Sequence, residues 1–266
     1  MAWVRSVGDF QELFFCTDSR LRFGGYWDCC PKLFPLERGD SAICFAGDTL
    51  YAYPSILQII SYINQYRPAK TRGLALEDLK GHLIRMLNSM TSLIADLPQG
   101  VEDPEVEFIL GGYCWERGRF LIWLFYFDKN IRRFTYRPAS PWRGGNEQKY
   151  FLFAGDYEED AKARLIELLR TKGKINQGGF DLEPLEVLRD MIRSYDNNSR
   201  IGGAPQILKI HKHLNNTQFG VFWPNRESNQ VSVMGRPLLD YERTDCRIID
   251  LDTLKQGYLA HNNFVF

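Results

Sequence analysis

The stretch that decides the fold runs from Phe14 to Gln58 and holds three blocks: Phe14-Phe15-Cys16-Thr17-Asp18-Ser19-Arg20, Lys32-Leu33-Phe34-Pro35-Leu36 and Cys44-Phe45-Ala46-Gly47-Asp48. In the first, an apolar run stops abruptly at charged and polar residues, as a buried strand does where it leaves a sheet. The third ends an apolar run in Ala46-Gly47 and leads toward Ile56, Ile59, Ile60 and Ile63, spaced i, i+3, i+4 and i+7 like one buried helix face. Pro54 falls inside that pattern, so the helix is expected to start near Tyr53 or to kink there.

Outward from this stretch, Leu76, Leu79, Leu83, Met86, Leu87 and Met90 form a second helical stripe that stops before Pro98. Val106 to Leu110 and Phe120 to Phe127 read as strands joined through Gly111-Gly112 and a Glu116-Arg117-Gly118 turn. Arg137 to Gln148 reads as a loop and Tyr150 to Ala154 as a short strand. A third helix carries Ala161, Leu165, Leu168 and Leu169, with Asp156 or a neighbour as its N-cap. A fourth carries Leu185, Leu188, Ile192 and Tyr195, with Pro184 in its first turn. Strand-like segments follow at Ile207 to Ile210, Phe219 to Phe222, Val231 to Val233 and Arg247 to Leu251. This order suits two helical layers enclosing two antiparallel sheets; periodicity alone says α+β and layered. One domain over residues 1–214 is expected, with a β-rich C-terminal extension, 215–266, packed on it.

The 266 residues carry 33 lysines and arginines against 33 aspartates and glutamates, which argues against general attraction to nucleic acid or an anionic membrane. The N-terminus lacks a secretory pattern, and the longest apolar run, Phe120 to Phe127, is far below the roughly 20 residues of a membrane helix. A soluble, cytoplasmic protein is expected, its six cysteines reduced. The vicinal pair Cys29-Cys30 lacks the spacing of a zinc or redox site. His211-x-His213 lacks a third ligand in register, and Gly24-Gly25 and Gly144-Gly145 lack a nucleotide-site context, so neither cofactor nor metal is expected.

Read together, the three opening blocks resemble the start of a proteasome-type β subunit, and the chain is identified as a divergent member of that N-terminal nucleophile (Ntn) hydrolase family. Phe108-Ile109-Leu110-Gly111-Gly112 is similar to the family strand ending in glycine. Phe153-Ala154-Gly155-Asp156 stands where the family has Gly-Ser-Gly before its third helix, without the serine. The resemblance covers the chain to about Ile210 and implies a four-layer αββα sandwich.

It also implies a site. Asp18 matches the family aspartate that pairs with the active-site lysine, and Lys32 matches that lysine, although Lys32 reads equally as a solvated lysine at a strand mouth. Asp196-Asn197-Asn198-Ser199 has the D-x-x-S spacing that sets a carboxylate and a hydroxyl beside the terminal amine; it reads also as a polar helix-ending turn. The nucleophile position falls on Ala2, which has no hydroxyl or thiol for a terminal amine to activate. The expectation is therefore a pseudoenzyme: a self-associating or partner-binding scaffold. An active threonine-peptidase-like or amide hydrolase with a different mature terminus is the alternative.

Overall fold

The computed structural model describes residues 1–95, 103–141, 150–176, 179–196, 198–260 and 263–265. Strands β1 (Ala2–Val7) and β2 (Phe10–Thr17) form a hairpin, β3 (Leu21–Arg22) and β4 (Tyr26–Trp27) a short ribbon, and β5 (Leu33–Pro35) precedes β6 (Ser41–Gly47). Helices α1 (Thr49–Gln65), α2 (Arg67–Lys70) and α3 (Leu76–Ser92) follow, then β7 (Val106–Cys114), β8 (Arg119–Asp128), β9 (Arg133–Pro138), β10 (Ser140–Pro141) and β11 (Tyr150–Leu152). After α4 (Glu158–Thr171) and α5 (Glu183–Ser194) the chain returns to strands: β12 (Gln206–His211), β13 (Asn216–Phe222), β14 (Val231–Val233) and β15 (Arg236–Pro237). β16 (Arg247–Ile249), β17 (Gln256–Ala260) and β18 (Asn263–Val265) complete it.

These strands make an eleven-stranded sheet, a five-stranded sheet and the two-stranded ribbon. Pairing is antiparallel throughout the ladders except between β13 and β16. The expected four-layer αββα sandwich is therefore corrected: the described residues form an antiparallel β-rich fold of three sheets with five helices. The physical reason lies in the C-terminal part, whose period-two patterning extends the large sheet by backbone pairing rather than adding helix. Helices α4 and α5 pack on its β1, β2, β12 and β13 portion. Beyond that, Phe222, Val231 and Ile248 close a small cluster of strand residues only. The β12–β13 pairing crosses the expected boundary between 214 and 215.

Alternation explains why the opening strands read as unbroken apolar runs. On β2, Phe14 and Cys16 enter the core under α4 and α5, while Leu13 and Phe15 meet residues of the five-stranded sheet. On β6, Ile43 and Phe45 lie under α1 and α3, while Ala42 and Cys44 face the other way. Both faces of each strand are buried, so neither shows a polar side.

Local expectations fare unevenly. Helix α1 starts at Thr49, capped by Asp48, whose carboxylate accepts from Leu50 N at 2.8 Å. It keeps Pro54 in its second turn, where only one carbonyl loses its partner. Gly111 and Gly112 lie inside β7 rather than in a connection after Leu110: a Cβ on Gly112 would stand 2.5 Å from the Asp40 carbonyl oxygen. Asp156 does not cap α4, whose first residue follows Tyr157; it pairs with Arg200 at 2.9 Å. Much of the loop expected over residues 137–148 lies outside the described residues. Among the described residues no helix is long and apolar enough to cross a membrane.

Candidate functional site

At Thr17 the chain reaches the end of β2, opposite Gln206 of β12, and leaves the sheet. Asp18 then turns its carboxylate back inward. Its Oδ2 accepts from Arg20 N and Gly202 N, each at 3.1 Å, and its Oδ1 accepts from Lys32 Nζ at 2.7 Å. Asp18 and Lys32 are only 8% and 9% exposed, so each charge depends on the other for its solvation.

Four close fits hold this turn. Arg20 forks onto Asp28 at 2.7 and 2.8 Å and donates to the Ser199 carbonyl at 3.2 Å. Its guanidinium lies where a side chain on Gly202 would be. Gly235, at φ +86°, leaves the same kind of space for Ser19 Oγ, which donates to the Ala204 carbonyl. Gln206, fully buried, ties the rest together: its Oε1 accepts from Lys32 N at 2.9 Å and Leu33 N at 3.2 Å, and its Nε2 donates to the Cys30 carbonyl at 2.7 Å.

The pair opens on a cleft of about 700 Å³ lined also by Met1, Thr17, Asp48 and the Gly155-Asp156 turn. That turn is anchored by Glu107, whose carboxylate accepts from Gly155 N at 3.0 Å and whose pKa burial pushes up. The Met1 ammonium donates to the Cys16 carbonyl at 2.9 Å. Met1 lines the cleft, whereas Ala2 is 1% exposed and its methyl belongs to the cluster between the two large sheets.

Among the expected site residues, Asp18 and Lys32 come together. Asp196 and Ser199 stay outside the cleft: Asp196 Oδ1 accepts from Asn198 N at 3.0 Å, and Ser199 Oγ donates to the Ile201 carbonyl at 2.6 Å. Asn197 lies outside the described residues. The second pair thus closes a local turn, and Ser199 reaches the site through its carbonyl on Arg20 alone. Gln206, Glu107 and Gly235 escaped the sequence reading. A lone glutamine opening an apolar strand was the one available signal, since a buried amide must find partners.

The nucleophile inventory around the pair is poor. Burial pushes the Cys16 thiol up to about 12 and raises Cys44 also, although the Met1 ammonium opposes both shifts. Thiols so held are protonated at neutral pH and unreactive. Thr17 Oγ1 is buried in the cleft wall without a hydrogen-bond partner among the described residues, so no base is set to take its proton. His211 meets Thr217 Oγ1 at 3.1 Å and Glu12 at 3.5 Å. Among the described residues no group of three potential metal ligands forms.

Neither a family model nor a curated protein matches this chain. Among solved structures it is similar to a chain of the Anbu complex from Pseudomonas aeruginosa, solved as a helical assembly. The TM-score is 0.53 at 16% identity, over 79% of this chain and 81% of that one. At that identity the likeness speaks for the fold alone. The resemblance to proteasome-type β subunits read from the opening blocks is corrected accordingly: no family model supports it, and the strands dominate where the family sandwich would need helical layers.

Proposed function

We propose that this protein is a self-associating scaffold whose cleft holds a ligand without cleaving it, in the cytoplasm, where its thiols stay reduced. The observation that carries the reading is the Lys32–Asp18 pair, buried in a cleft beside the Met1 amine, with no hydroxyl or thiol among the described residues paired to a base there. Catalysis by a terminal residue needs both a base and a nucleophile at one amine. Here the first side chains of β1 supply neither hydroxyl nor thiol. Such a cleft remains able to bind, because a paired lysine and backbone amides orient a carbonyl or carboxylate. Self-association is supported by the helical assembly in which the Anbu chain was solved. It is also supported by apolar side chains left exposed, Leu50 and Leu57 on α1 and Phe23 and Trp27 at the ribbon.

Sedimentation velocity and negative-stain microscopy of the purified chain test the assembly reading: defined oligomers support it, and a monomer at high concentration sinks it. Incubation with fluorogenic peptides and hydroxyl- or thiol-directed probes tests the silence of the cleft.

The second reading is a threonine-peptidase-like or amide hydrolase, favoured by Thr17 Oγ1, buried beside Asp18 without a hydrogen-bond partner among the described residues. Exposing Thr17 as a terminus would remove β1 and nearly all of β2, whose ladder runs from Ala2↔Phe15 to Val7↔Phe10. Intact mass and N-terminal sequencing of the protein from its host decide between the two. A start at Ser, Thr or Cys, with labelling abolished in Lys32→Ala, establishes the hydrolase.

A further inference from the structure

A second cleft, of about 560 Å³, lies between the end of α3, the β8–β9 turn and the start of α1. Its chemistry differs from that of the first. Three arginines line it, Arg85 from α3, Arg132 from the turn and Arg133 from the start of β9, against one carboxylate, Asp103. Arg132 Nη2 sits 3.5 Å from Asp103 Oδ1, which is itself buried without a hydrogen-bond partner among the described residues. Arg85 and Arg133 make no ion pair among the described residues. Three arginines against one carboxylate give the lining a net double positive charge, which favours an anion.

The cavity is held in shape by Asn88, which clamps α3 to β9: Nδ2 donates to the Phe134 carbonyl at 3.0 Å and Oδ1 accepts from Phe134 N at 2.7 Å. Arg133, the preceding residue, opens β9 and lines the same cleft as Arg85. An independent observation comes from Tyr51. The residue is 7% exposed and lines the cleft, and its hydroxyl is sealed from solvent without a hydrogen-bond partner among the described residues. A buried hydroxyl left unpaired costs free energy that a bound acceptor returns. The Thr91 and Ser92 hydroxyls already donate to the Leu87 and Ser89 carbonyls, so the lining donors without an acceptor among the described residues are Arg85, Arg133, Tyr51 and Ser89. Beside them, Ile94 and Phe127 give the cleft an apolar wall.

We propose that this cleft binds a small phosphomonoester, its dianion held by Arg85, Arg133 and the Tyr51 hydroxyl and its organic part laid against Ile94 and Phe127. Planar guanidinium groups suit a phosphate's oxygens, and the double charge matches the net charge of the lining. The site is separate from the Asp18–Lys32 cleft, which it touches only through Asp103, and it stands or falls independently of the scaffold reading.

Titration calorimetry of the intact protein with inorganic phosphate and with phenyl phosphate tests it. Saturable binding of both is expected, phenyl phosphate the tighter. Arg85→Ala with Arg133→Ala weakens phenyl phosphate by about tenfold or more, and Tyr51→Phe by about threefold. Because the arginines are exposed, the double variant keeps the parent melting temperature. Tyr51→Phe without ligand melts no lower than the parent, since its phenyl ring leaves no unpaired hydroxyl. Absence of saturable binding, or binding unchanged in the double variant, overturns the site. Equal affinity for the two anions overturns the organic-ligand class.

Discussion

Lys32 Nζ lies 2.7 Å from Asp18 Oδ1 in a pocket where both residues are more than nine-tenths withdrawn from water. The two positions lie on opposite sides of the β3–β4 ribbon, so the contact exists only because the chain folds back on itself there. Removing one partner strands the other's charge. Lys32→Ala is expected to cost about 3–5 kcal/mol, and Lys32→Met combined with Asp18→Asn distinctly less, as urea denaturation will read. Equal losses in single and double variants would refute the dependence.

Gln206→Leu removes the acceptor of Lys32 N and Leu33 N and the donor to the Cys30 carbonyl while keeping the volume of a buried side chain. Each stranded backbone group costs about 1–3 kcal/mol, so the variant loses several kcal/mol in chemical denaturation. A loss below about 1 kcal/mol would show that water replaces the amide.

Acid sensitivity is expected from Glu183. Burial raises its pKa, but the Lys174 ammonium at 2.6 Å and backbone donors including Asp181 N outweigh it and hold the carboxyl below its ordinary 4.5. A depressed native pKa means that the contribution is complete above the ordinary value and is lost as pH falls through the native one. Glu183→Gln therefore flattens the acid limb of the stability profile below about pH 4.5; an unchanged limb would assign it elsewhere.

Thiol accessibility separates the six cysteines. Cys29 and Cys246 are partly exposed, while Cys16, Cys30, Cys44 and Cys114 are buried. Alkylation of the native protein at pH 8, read by peptide mass spectrometry, is expected to modify the first two quickly and the others only after denaturation. Rapid labelling of Cys16 would contradict its raised pKa and reopen the thiol route in the cleft.

How far the chain could be read in advance depended on whether a signal was local. The repeats Ile56, Ile59, Ile63 and Leu76, Leu79, Leu83 set α1 and α3, because one buried stripe on a 3.6-residue period needs no knowledge of its partner. Strand β9 was missed because it alternates poorly, exposing Arg133 and Tyr136 and burying Phe134 alone under α3. Gly111-Gly112 read as the connection after a strand ending at Leu110 because nothing local says that another strand passes within van der Waals distance.

By itself the sequence determined the four long helices, the unbroken apolar runs of strands buried on both faces, and a turn at Asp18 charged enough to need partners. Only the tertiary structure decided which partners those were. Lys32 comes from the far side of the β3–β4 ribbon, Gly202 and Gln206 from some 180 residues away, and the Asp196–Ser199 pair turns out to serve its own loop. It also decided that the last strands extend one large sheet, since edge pairing is a backbone property that side-chain patterning does not record.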